Sequence, residues 1–268
     1  MTPGRRPGPA SSEPVVISAA FFGRGRYDQW LDWIEAAAGL DVGAAALSAW
    51  LDAEWAMLRA TVAAAAAARP GGNGGLRMLD VGCGFGRHSV GLASSNELVQ
   101  AVGIDINATL IDRATQAATD AGVADRVQFR VADAGALTPT MLGRFDLVVC
   151  MANALGNMPV EIAESFLAGA SELFAPRGRL LLSVYSVASA DLRAASYRAI
   201  GMSVAKRGSD VVSEQEGFCS RGYTVRDGVA MVERAGLLLD APPITLGTVG
   251  VGLTARAREP ASVLVPRV

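Results

Sequence analysis

The sequence predicts an α/β protein with a doubly wound, mostly parallel seven-stranded sheet, a C-terminal antiparallel hairpin and an N-terminal helical cap. Short apolar runs alternate with helical patterns after residue 75, an order typical of a parallel sheet covered by helices on both faces. Two strand-like runs near the C-terminus, 237–244 and 248–257, leave no room between them for a crossover helix. We therefore expect these two runs to pair antiparallel.

Five parallel strands are predicted from short apolar runs, the pattern of strands that are buried on both faces. They lie at 77–81, 99–104, 127–131, 145–150 and 180–184. Apolar residues recur at helical spacing over 110–121 and 162–173. Towards the C-terminus, Thr224 and Asp227 predict a capping box that opens a helix with Val225, Val229 and Val232 facing inward.

The chain is expected to divide into a tail, a cap and one larger domain. Residues 1–14 are rich in proline, glycine, serine and arginine, which predicts a disordered tail. Over 15–68, apolar residues recur at helical spacing in two stretches, which predicts a helical cap. A glycine run then breaks the pattern and predicts a hinge or linker, and 69–268 is expected to form the domain built on the sheet.

Composition excludes several classes of function. The chain of 268 residues has a formal net charge of −2 and scattered Lys and Arg, which argues against nucleic acid as a substrate. One histidine, His88, and three distant cysteines, Cys83, Cys150 and Cys219, provide no metal-ligand spacing, so no metal is expected. No apolar run is long enough for a signal core or a bilayer span. We therefore expect a cytoplasmic protein without a membrane partner, and the sequence leaves an oligomer open.

A glycine-rich turn follows the first predicted strand. It has the pattern Asp80-x-Gly82-x-Gly84-x-Gly86 and precedes a helix. Glycines let the backbone approach a ligand closely, and a helix N-terminus favours negative charge such as a carboxylate. A dinucleotide fingerprint would have its third glycine at position 87, which is Arg87. The turn therefore predicts a nucleotide-like ligand and argues against a dinucleotide.

Two more carboxylates follow the next two strands. Asp105 ends the second strand, where its carboxylate can accept hydrogen bonds from both hydroxyls of a ribose. Asp133 follows the third strand, where an exposed carboxylate can accept from an adenine amino group while the Ala134 N–H donates to the ring. With Asp80, three acidic residues thus close three successive strands, which predicts one nucleoside site.

On these residues and the terminal hairpin, the chain resembles the class I S-adenosylmethionine-dependent methyltransferases from about residue 77 to its end. The resemblance implies S-adenosylmethionine as the cofactor, with Asp80, Gly82 and Gly84 bordering the methionine moiety. It places Asp105 at the ribose, with Asp133 and Ala134 at the adenine. The loop after the fourth strand supplies backbone contacts to the methionine end in this family. The full predicted cofactor site is Asp80, Gly82, Gly84, Arg87, Asp105, Ile106, Asp133, Ala134 and Met151.

The resemblance also narrows the methyl acceptor. The Asn/Asp-Pro-Pro-aromatic tetrapeptide of nucleic acid amino-methyltransferases is replaced by Met-Ala-Asn-Ala at 151–154, and the paired-glutamate hairpin of protein arginine methyltransferases is missing. An amine needs only to arrive neutral or lose a proton, whereas a phenol or alcohol usually needs a positioned base. His88 is predicted to lie nearer the methionine end than the methyl group. What remains resembles small-molecule N-methyltransferases with an N-terminal helical lid.

Four residues are candidates for the catalytic site. Tyr27 lies in the cap, and in related enzymes an aromatic residue from such a lid meets the sulfonium, which aromatic faces attract. Asn153 and Asn157 lie in the loop after the fourth strand, and Tyr185 closes the fifth strand. The segment 187–213 is predicted to lie above the same edge of the sheet, where such enzymes select substrates.

The predicted function is methyl transfer from S-adenosylmethionine to a small-molecule or peptide amine. The composition is rich in Ala and Arg, which is typical of high-GC actinobacteria, where such enzymes tailor secondary metabolites. One alternative is an O-methyltransferase acting on a small hydroxylated or carboxylated metabolite. A more distant alternative is an NAD-dependent oxidoreductase on a similar sheet, against which Arg87 and the terminal hairpin argue.

Overall fold

The computed structural model describes residues 26–67, 75–95 and 99–258. The predicted tail and most of the predicted glycine linker lie outside the described residues, and the predicted domain boundaries stay predictions. The helices are α1 (Arg26–Ala37), α2 (Val42–Ala67), α3 (Arg87–Ser95), α4 (Ala108–Asp120), α5 (Pro139–Leu142), α6 (Ala154–Asn157), α7 (Val160–Gly169), α8 (Ala190–Ala199) and α9 (Val225–Arg234). The strands are β1 (Leu76–Val81), β2 (Val99–Asp105), β3 (Val127–Val131), β4 (Phe145–Cys150), β5 (Phe174–Ser186), β6 (Ala205–Arg207), β7 (Asp210–Ser213), β8 (Phe218–Ser220), β9 (Gly222–Tyr223), β10 (Leu237–Leu239), β11 (Ile244–Leu246) and β12 (Gly250–Ala257).

The main sheet has the strand order β10-β12-β5-β4-β1-β2-β3, with β11 also paired to β12 and β9 to β5. Strands β1 to β5 pair parallel, and β12 pairs antiparallel with β5, β10 and β11. The predicted fold class, a mostly parallel seven-stranded sheet closed by C-terminal antiparallel strands, is confirmed. The structure adds the short β9 and β11 to this sheet, and it adds a separate sheet of β6, β7 and β8.

The C-terminal strands differ from the prediction in two details. The run predicted as one strand over 237–244 is divided into β10 and β11, because Pro242 and Pro243 between them cannot donate to a strand ladder. The predicted capping box is confirmed, since the Thr224 side chain accepts from the Asp227 N–H and the Asp227 side chain accepts from the Thr224 N–H. Val225, however, was predicted to face inward and is 42% exposed, because it is the first residue of α9.

Each face of the sheet buries its own hydrophobic core. Side chains of successive strand residues point to opposite faces. Met78 of β1 therefore belongs to the same core as Trp50 from the cap, whereas its neighbour Leu79 belongs to the core on the other face, together with Phe166 and Val232. The cap helices thus form part of the covering of the sheet.

The long cap helix α2 consists mostly of apolar residues. Among the described residues, no single helix is both long and apolar enough to cross a membrane. The pair α1 and α2, bent by 109° relative to each other, meets the length and composition criteria only when the two are taken together.

Candidate functional site

A cavity of about 310 Å³ lies at the carboxyl ends of β1 to β4. Ligand cavities in proteins are typically about 300–1,000 Å³. The parallel register brings these ends together, since Val81 is level with Ile104 and Asp105 is level with Val131. The predicted cofactor residues that line the cavity are Gly82, Gly84, Arg87, Asp105, Ile106, Asp133, Ala134 and Met151.

The glycine turn forms the cavity wall after β1. Gly82 has a φ of +71° and Gly84 a φ of +55°, a region that residues with a side chain rarely adopt. A Cβ on Gly82 would lie only 2.7 Å from the Cβ of Ala154. Glycine is therefore required at position 82 both for its backbone conformation and for the close approach of the loop after β4.

Asp105 connects the end of β2 to this turn. Its Oδ2 accepts a hydrogen bond from the Gly84 N–H at 3.0 Å, and its Oδ1 accepts from the Asn107 N–H at 2.9 Å. Burial raises the pKa of Asp105, and these backbone donors act in the opposite direction. Each carboxylate oxygen has a second lone pair, so the side chain can still accept from two ribose hydroxyls.

Asp80 and Asp133 differ in position. Asp80 is 1% exposed, lies behind the turn outside the cavity wall, and accepts a hydrogen bond from the Ser89 hydroxyl at 2.7 Å. Burial raises the pKa of the Asp80 carboxyl. This geometry supports the start of α3. Asp133 is exposed on the cavity rim, and its Oδ1 accepts from the Gly135 N–H at 2.8 Å.

The residues fit a nucleoside-containing cofactor. The turn approaches the cavity without side chains, Asp105 offers a paired acceptor, and Asp133 stands beside the buried Ala134 at the far rim. Ribose hydroxyls, an adenine amino group and an adenine ring nitrogen are the complementary groups. S-adenosylmethionine contains all of them, and its methionine end would lie towards the glycine turn by the resemblance.

A smaller cavity, here called the aromatic slot, adjoins the first. It measures about 20 Å³, about enough for one water molecule. The slot is lined by Arg26, Tyr27, Trp30, Ala152, Asn157, Tyr185, Tyr197, Ile200 and Phe218. Tyr27, Ala152 and Asn157 line both cavities, so the border between them runs through these three residues.

The predicted catalytic residues fall into two groups. Tyr27, Asn157 and Tyr185 line the aromatic slot. Asn153 is fully buried and lines neither cavity: its Oδ1 accepts from the Tyr185 N–H at 2.9 Å, and its Nδ2 donates to Oδ1 of Asn157 at 3.3 Å. The side chain of Asn153 therefore fixes the Tyr185 backbone and the Asn157 side chain at the slot.

The ionisable groups at the slot are poor bases. Burial raises the pKa values of Tyr27, Tyr185 and Tyr197, so all three phenols stay protonated at neutral pH. Arg26 pairs with Glu216 at 3.1 Å. Among the described residues that line the slot there is no histidine, carboxylate or lysine.

Arg193 is a functional candidate that the sequence did not reveal. Its side chain is fully buried in α8, and its guanidinium lies 5.0 Å from the centre of the Tyr185 ring. It donates to the Ser189 hydroxyl at 3.1 Å and to the Ser220 hydroxyl at 2.9 Å. These contacts attach α8 to β8 and support the slot from behind.

Glu54 is the second residue that sequence reasoning missed. It is 0% exposed in α2, and its Oε1 accepts from the Ala152 N–H at 2.7 Å. Its Oε2 lies 3.3 Å from Nε2 of His88. Burial alone would raise the pKa of Glu54, but contacts with His88, Ser183 and the Ala152 amide hold it below its usual value. One indication of a special role for Glu54 was present in the sequence, because its charge lies on the apolar face of a predicted helix.

His88 and the cysteines show no arrangement for metal binding. His88 is buried at the start of α3, with its ring centre 5.2 Å from that of Trp55. Cys83, Cys150 and Cys219 are buried and free. No group of three His, Cys, Asp or Glu side chains is close enough to hold a metal ion within the part of the chain that the structure describes.

Comparison with known proteins identifies the family. A family model described as a methyltransferase domain matches residues 73–213, more than half of the chain. A 27-O-demethylrifamycin SV methyltransferase from Amycolatopsis mediterranei (strain S699) is 35% identical over 134 residues, which cover 48% of this chain and 47% of that protein. The match therefore spans about half the length of this curated relative.

Solved structures share the fold. Magnesium protoporphyrin IX methyltransferase from Synechocystis PCC 6803, with bound S-adenosylmethionine, has a TM-score of 0.59 at 20% identity, covering 94% of this chain and 100% of that one. A 1,6-didemethyltoxoflavin-N1-methyltransferase from Burkholderia thailandensis has a TM-score of 0.60 at 18% identity, covering 96% and 94%. These identities support the fold alone.

The fold and the cavity together define a class I S-adenosylmethionine-dependent methyltransferase. The chain belongs to the methyltransferase domain family. The residues of the cavity fit S-adenosylmethionine, which the Synechocystis structure of the same fold contains. The prediction of the family and cofactor is confirmed, whereas the predicted acceptor and the individual site residues stay predictions.

Proposed function

We propose that this protein transfers a methyl group from S-adenosylmethionine to an amine of a small molecule or peptide, in the tailoring of a secondary metabolite. The observation that carries the proposal is the aromatic slot, which adjoins the cofactor cavity through Tyr27, Ala152 and Asn157 and contains no general base among its described residues.

The chemistry that the cofactor supplies is a methyl group activated by a positive sulfonium. The protein's part is to align the acceptor's lone pair with that methyl group and to exclude water. Tyr27, on the border between the cavities, is the residue proposed to face the sulfonium, because the negative face of an aromatic ring attracts a cation. Asn157, on the same border, and Tyr185, inside the slot, are proposed to orient the amine group of the acceptor, because a slot of about 20 Å³ has room for a group of that size.

The lack of a histidine, carboxylate or lysine among the described residues of the slot favours an amine. A neutral amine already carries the lone pair that attacks, and the proton it sheds afterwards can pass to water. A hydroxyl acceptor usually needs a base to remove its proton as it attacks, and the slot's raised tyrosine pKa values make these phenols unsuitable for that task.

The test is a product screen with S-adenosylmethionine and matched pairs of acceptors. Each pair consists of a primary amine or peptide amine and the analogue in which a hydroxyl replaces the amine. Mass spectrometry would detect the added methyl group, and S-adenosylhomocysteine formation would be measured in parallel. Methylation of amines with unreactive hydroxyl partners is the expected result. The reverse preference would contradict the amine assignment.

An O-methyltransferase is the second candidate. It is favoured by the curated relative, whose name states methylation of an oxygen on a rifamycin. The hydroxyl members of the same acceptor pairs test it. A calorimetric titration with S-adenosylmethionine and NAD addresses the oxidoreductase alternative, because preferential binding of NAD would contradict both methyltransferase candidates.

A further inference from the structure

Glu54 is a carboxylate on the buried face of α2, which is otherwise apolar. It lies in α2 between Leu51 and Leu58 along that face and is 0% exposed. Burial of a charged side chain is unfavourable unless specific contacts compensate for it, and an apolar residue of similar size would pack there more cheaply. The reason for a glutamate at this position must therefore lie in what its oxygens contact.

Three of the residues that Glu54 contacts lie on the wall of the cofactor cavity. Its Oε1 accepts from the Ala152 N–H at 2.7 Å. Its Oε2 lies 3.3 Å from Nε2 of His88 and 3.9 Å from Nη1 of Arg87. Ala152, His88 and Arg87 line the cofactor cavity, and Ala152 lines the aromatic slot as well. One cap side chain thus contacts both the start of α3 and the loop after β4.

The turn that Glu54 contacts has an unfavourable backbone conformation. Ala152 has a φ of +50° and Asn153 a φ of +58°, and neither residue is glycine. Left-handed residues that carry a side chain persist only where their surroundings enforce the conformation. From Asn153 the constraint extends into the slot, because its side chain bonds the Tyr185 N–H and the Asn157 side chain.

We propose that Glu54 is a positioning residue for methyl transfer: its hydrogen bond to Ala152 fixes the turn that separates the cofactor cavity from the aromatic slot. In this role, the Glu54 oxygen that accepts the hydrogen bond and the length of the side chain matter more than the negative charge. The inference rests on the proposed function, because this turn matters for catalysis only where cofactor and acceptor meet.

Three variants of Glu54 separate these features, with an exposed aspartate of the same helix as the control. Glu54→Met removes the oxygen that accepts the hydrogen bond from Ala152. Glu54→Asp keeps the charge, but its side chain is one methylene too short to reach Ala152. Glu54→Gln keeps a hydrogen-bonding oxygen on a side chain of full length. Asp52→Asn is the matched control, because Asp52 is exposed on α2. Affinity for S-adenosylmethionine is measured by calorimetry at a temperature where circular dichroism shows folded protein.

The expected result is a loss of affinity of about tenfold in Glu54→Met and Glu54→Asp, with Glu54→Gln and Asp52→Asn within about threefold of the wild type. Hydrogen exchange at the Ala152 amide should follow the same order. A purely structural role would lower the melting temperature without this order in cofactor affinity. Rescue by glutamine is thus the signature of positioning.

The proposal is overturned if folded Glu54→Met and Glu54→Asp bind the cofactor like the wild type. If Glu54→Met does not fold, the comparison of Glu54→Asp with Glu54→Gln decides: equal affinities overturn the proposal and a weaker Asp variant supports it. Failure of the wild-type chain itself to bind S-adenosylmethionine or S-adenosylhomocysteine would instead contradict the proposed function. The two failures are therefore distinguishable.

Discussion

The cofactor cavity and the aromatic slot lie side by side, but they are built in different ways. Most residues of the cavity wall lie at, or shortly after, successive strand ends between Gly82 and Ala134. The slot is lined by large side chains from elements far apart in the chain, such as Tyr27 of α1, Tyr185 of β5 and Phe218 of β8. Under the proposed function, cofactor binding is encoded locally, whereas acceptor selection depends on how the cap and the segment after β5 pack.

If this contrast is correct, the largest single-residue effect on cofactor binding should come from Asp105. Asp105→Ala removes the hydrogen bond from the Gly84 N–H that joins β2 to the glycine turn, the hydrogen bond from the Asn107 N–H, and the proposed ribose acceptor. Because hydrogen bonds to a charged group each contribute about 1.5–3 kcal/mol, we expect at least about a hundredfold weaker binding of S-adenosylmethionine. Calorimetric titration measures this loss.

The matched control for Asp105 is Asp112→Ala, because Asp112 is exposed on α4. It should bind the cofactor like the wild type. Normal cofactor binding by Asp105→Ala would mean that the carboxyl ends of β1 to β3 do not form the ribose site. It would also contradict the contrast between the cofactor cavity, here called the cofactor half, and the aromatic slot, here called the acceptor half.

The cofactor half was predictable because its determinants are short-range. A strand, a glycine turn and a helix occupy a few consecutive residues, and parallel pairing then brings Asp105 and Asp133 to the same edge. The exact depth of Asp80 was not predictable. Whether a carboxylate at a strand end faces the cavity or the interior depends on its partner, here the Ser89 hydroxyl, and on the tilt of α3.

The next largest effect should separate catalysis from cofactor binding. Asn157 lines both cavities, and its Oδ1 is fixed by the Asn153 side chain. Asn157→Ala removes one oriented polar group from the acceptor's wall, so kcat should fall by about tenfold while the dissociation constant for the cofactor stays within about threefold. Steady-state kinetics with an acceptor from the product screen, together with calorimetry, provide the measurement. An equal loss in both quantities would assign Asn157 to the cofactor half.

A smaller effect is expected at Tyr27, on the border of the two halves. Its ring centre lies 5.9 Å from that of Trp30 and 5.6 Å from that of Phe85. Tyr27→Phe keeps the aromatic face and should reduce kcat by only about threefold, whereas Tyr27→Leu should cost more because the cation–π attraction is worth about 0.5–2 kcal/mol. Single-turnover rates test this order. Equal rates for the Phe and Leu variants would remove the ring from the mechanism.

The acceptor half was only partly predictable, for physical reasons. Tyr27, Asn157 and Tyr185, which line the slot, could be proposed because they are polar or aromatic residues at a lid or a strand end. The buried position of Asn153 could not, because it depends on the left-handed turn that precedes α6. Glu54 gave a weak signal, a charge on an apolar helix face. No sequence pattern distinguishes Arg193 from a surface arginine, because its hydrogen-bond partners lie in other elements.

The smallest effect is expected outside both halves, at the capping box of α9, and it provides the baseline for the others. Thr224→Ala removes the side-chain cap and should lower the free energy of unfolding by about 1 kcal/mol, with cofactor affinity unchanged.

The same substitution should also change how stability depends on pH. The hydrogen bonds from Thr224 hold the pKa of Asp227 below its ordinary value of 3.8. A carboxylate whose pKa is lowered by folding contributes stability that is present above its unfolded pKa and lost as the pH falls through the folded value. The stability difference between the wild type and Thr224→Ala should therefore narrow below pH 3.8, as urea denaturation at neutral and acidic pH would show. A difference that stays constant across this range would mean that the Thr224 hydroxyl stabilises the helix without the ionised Asp227.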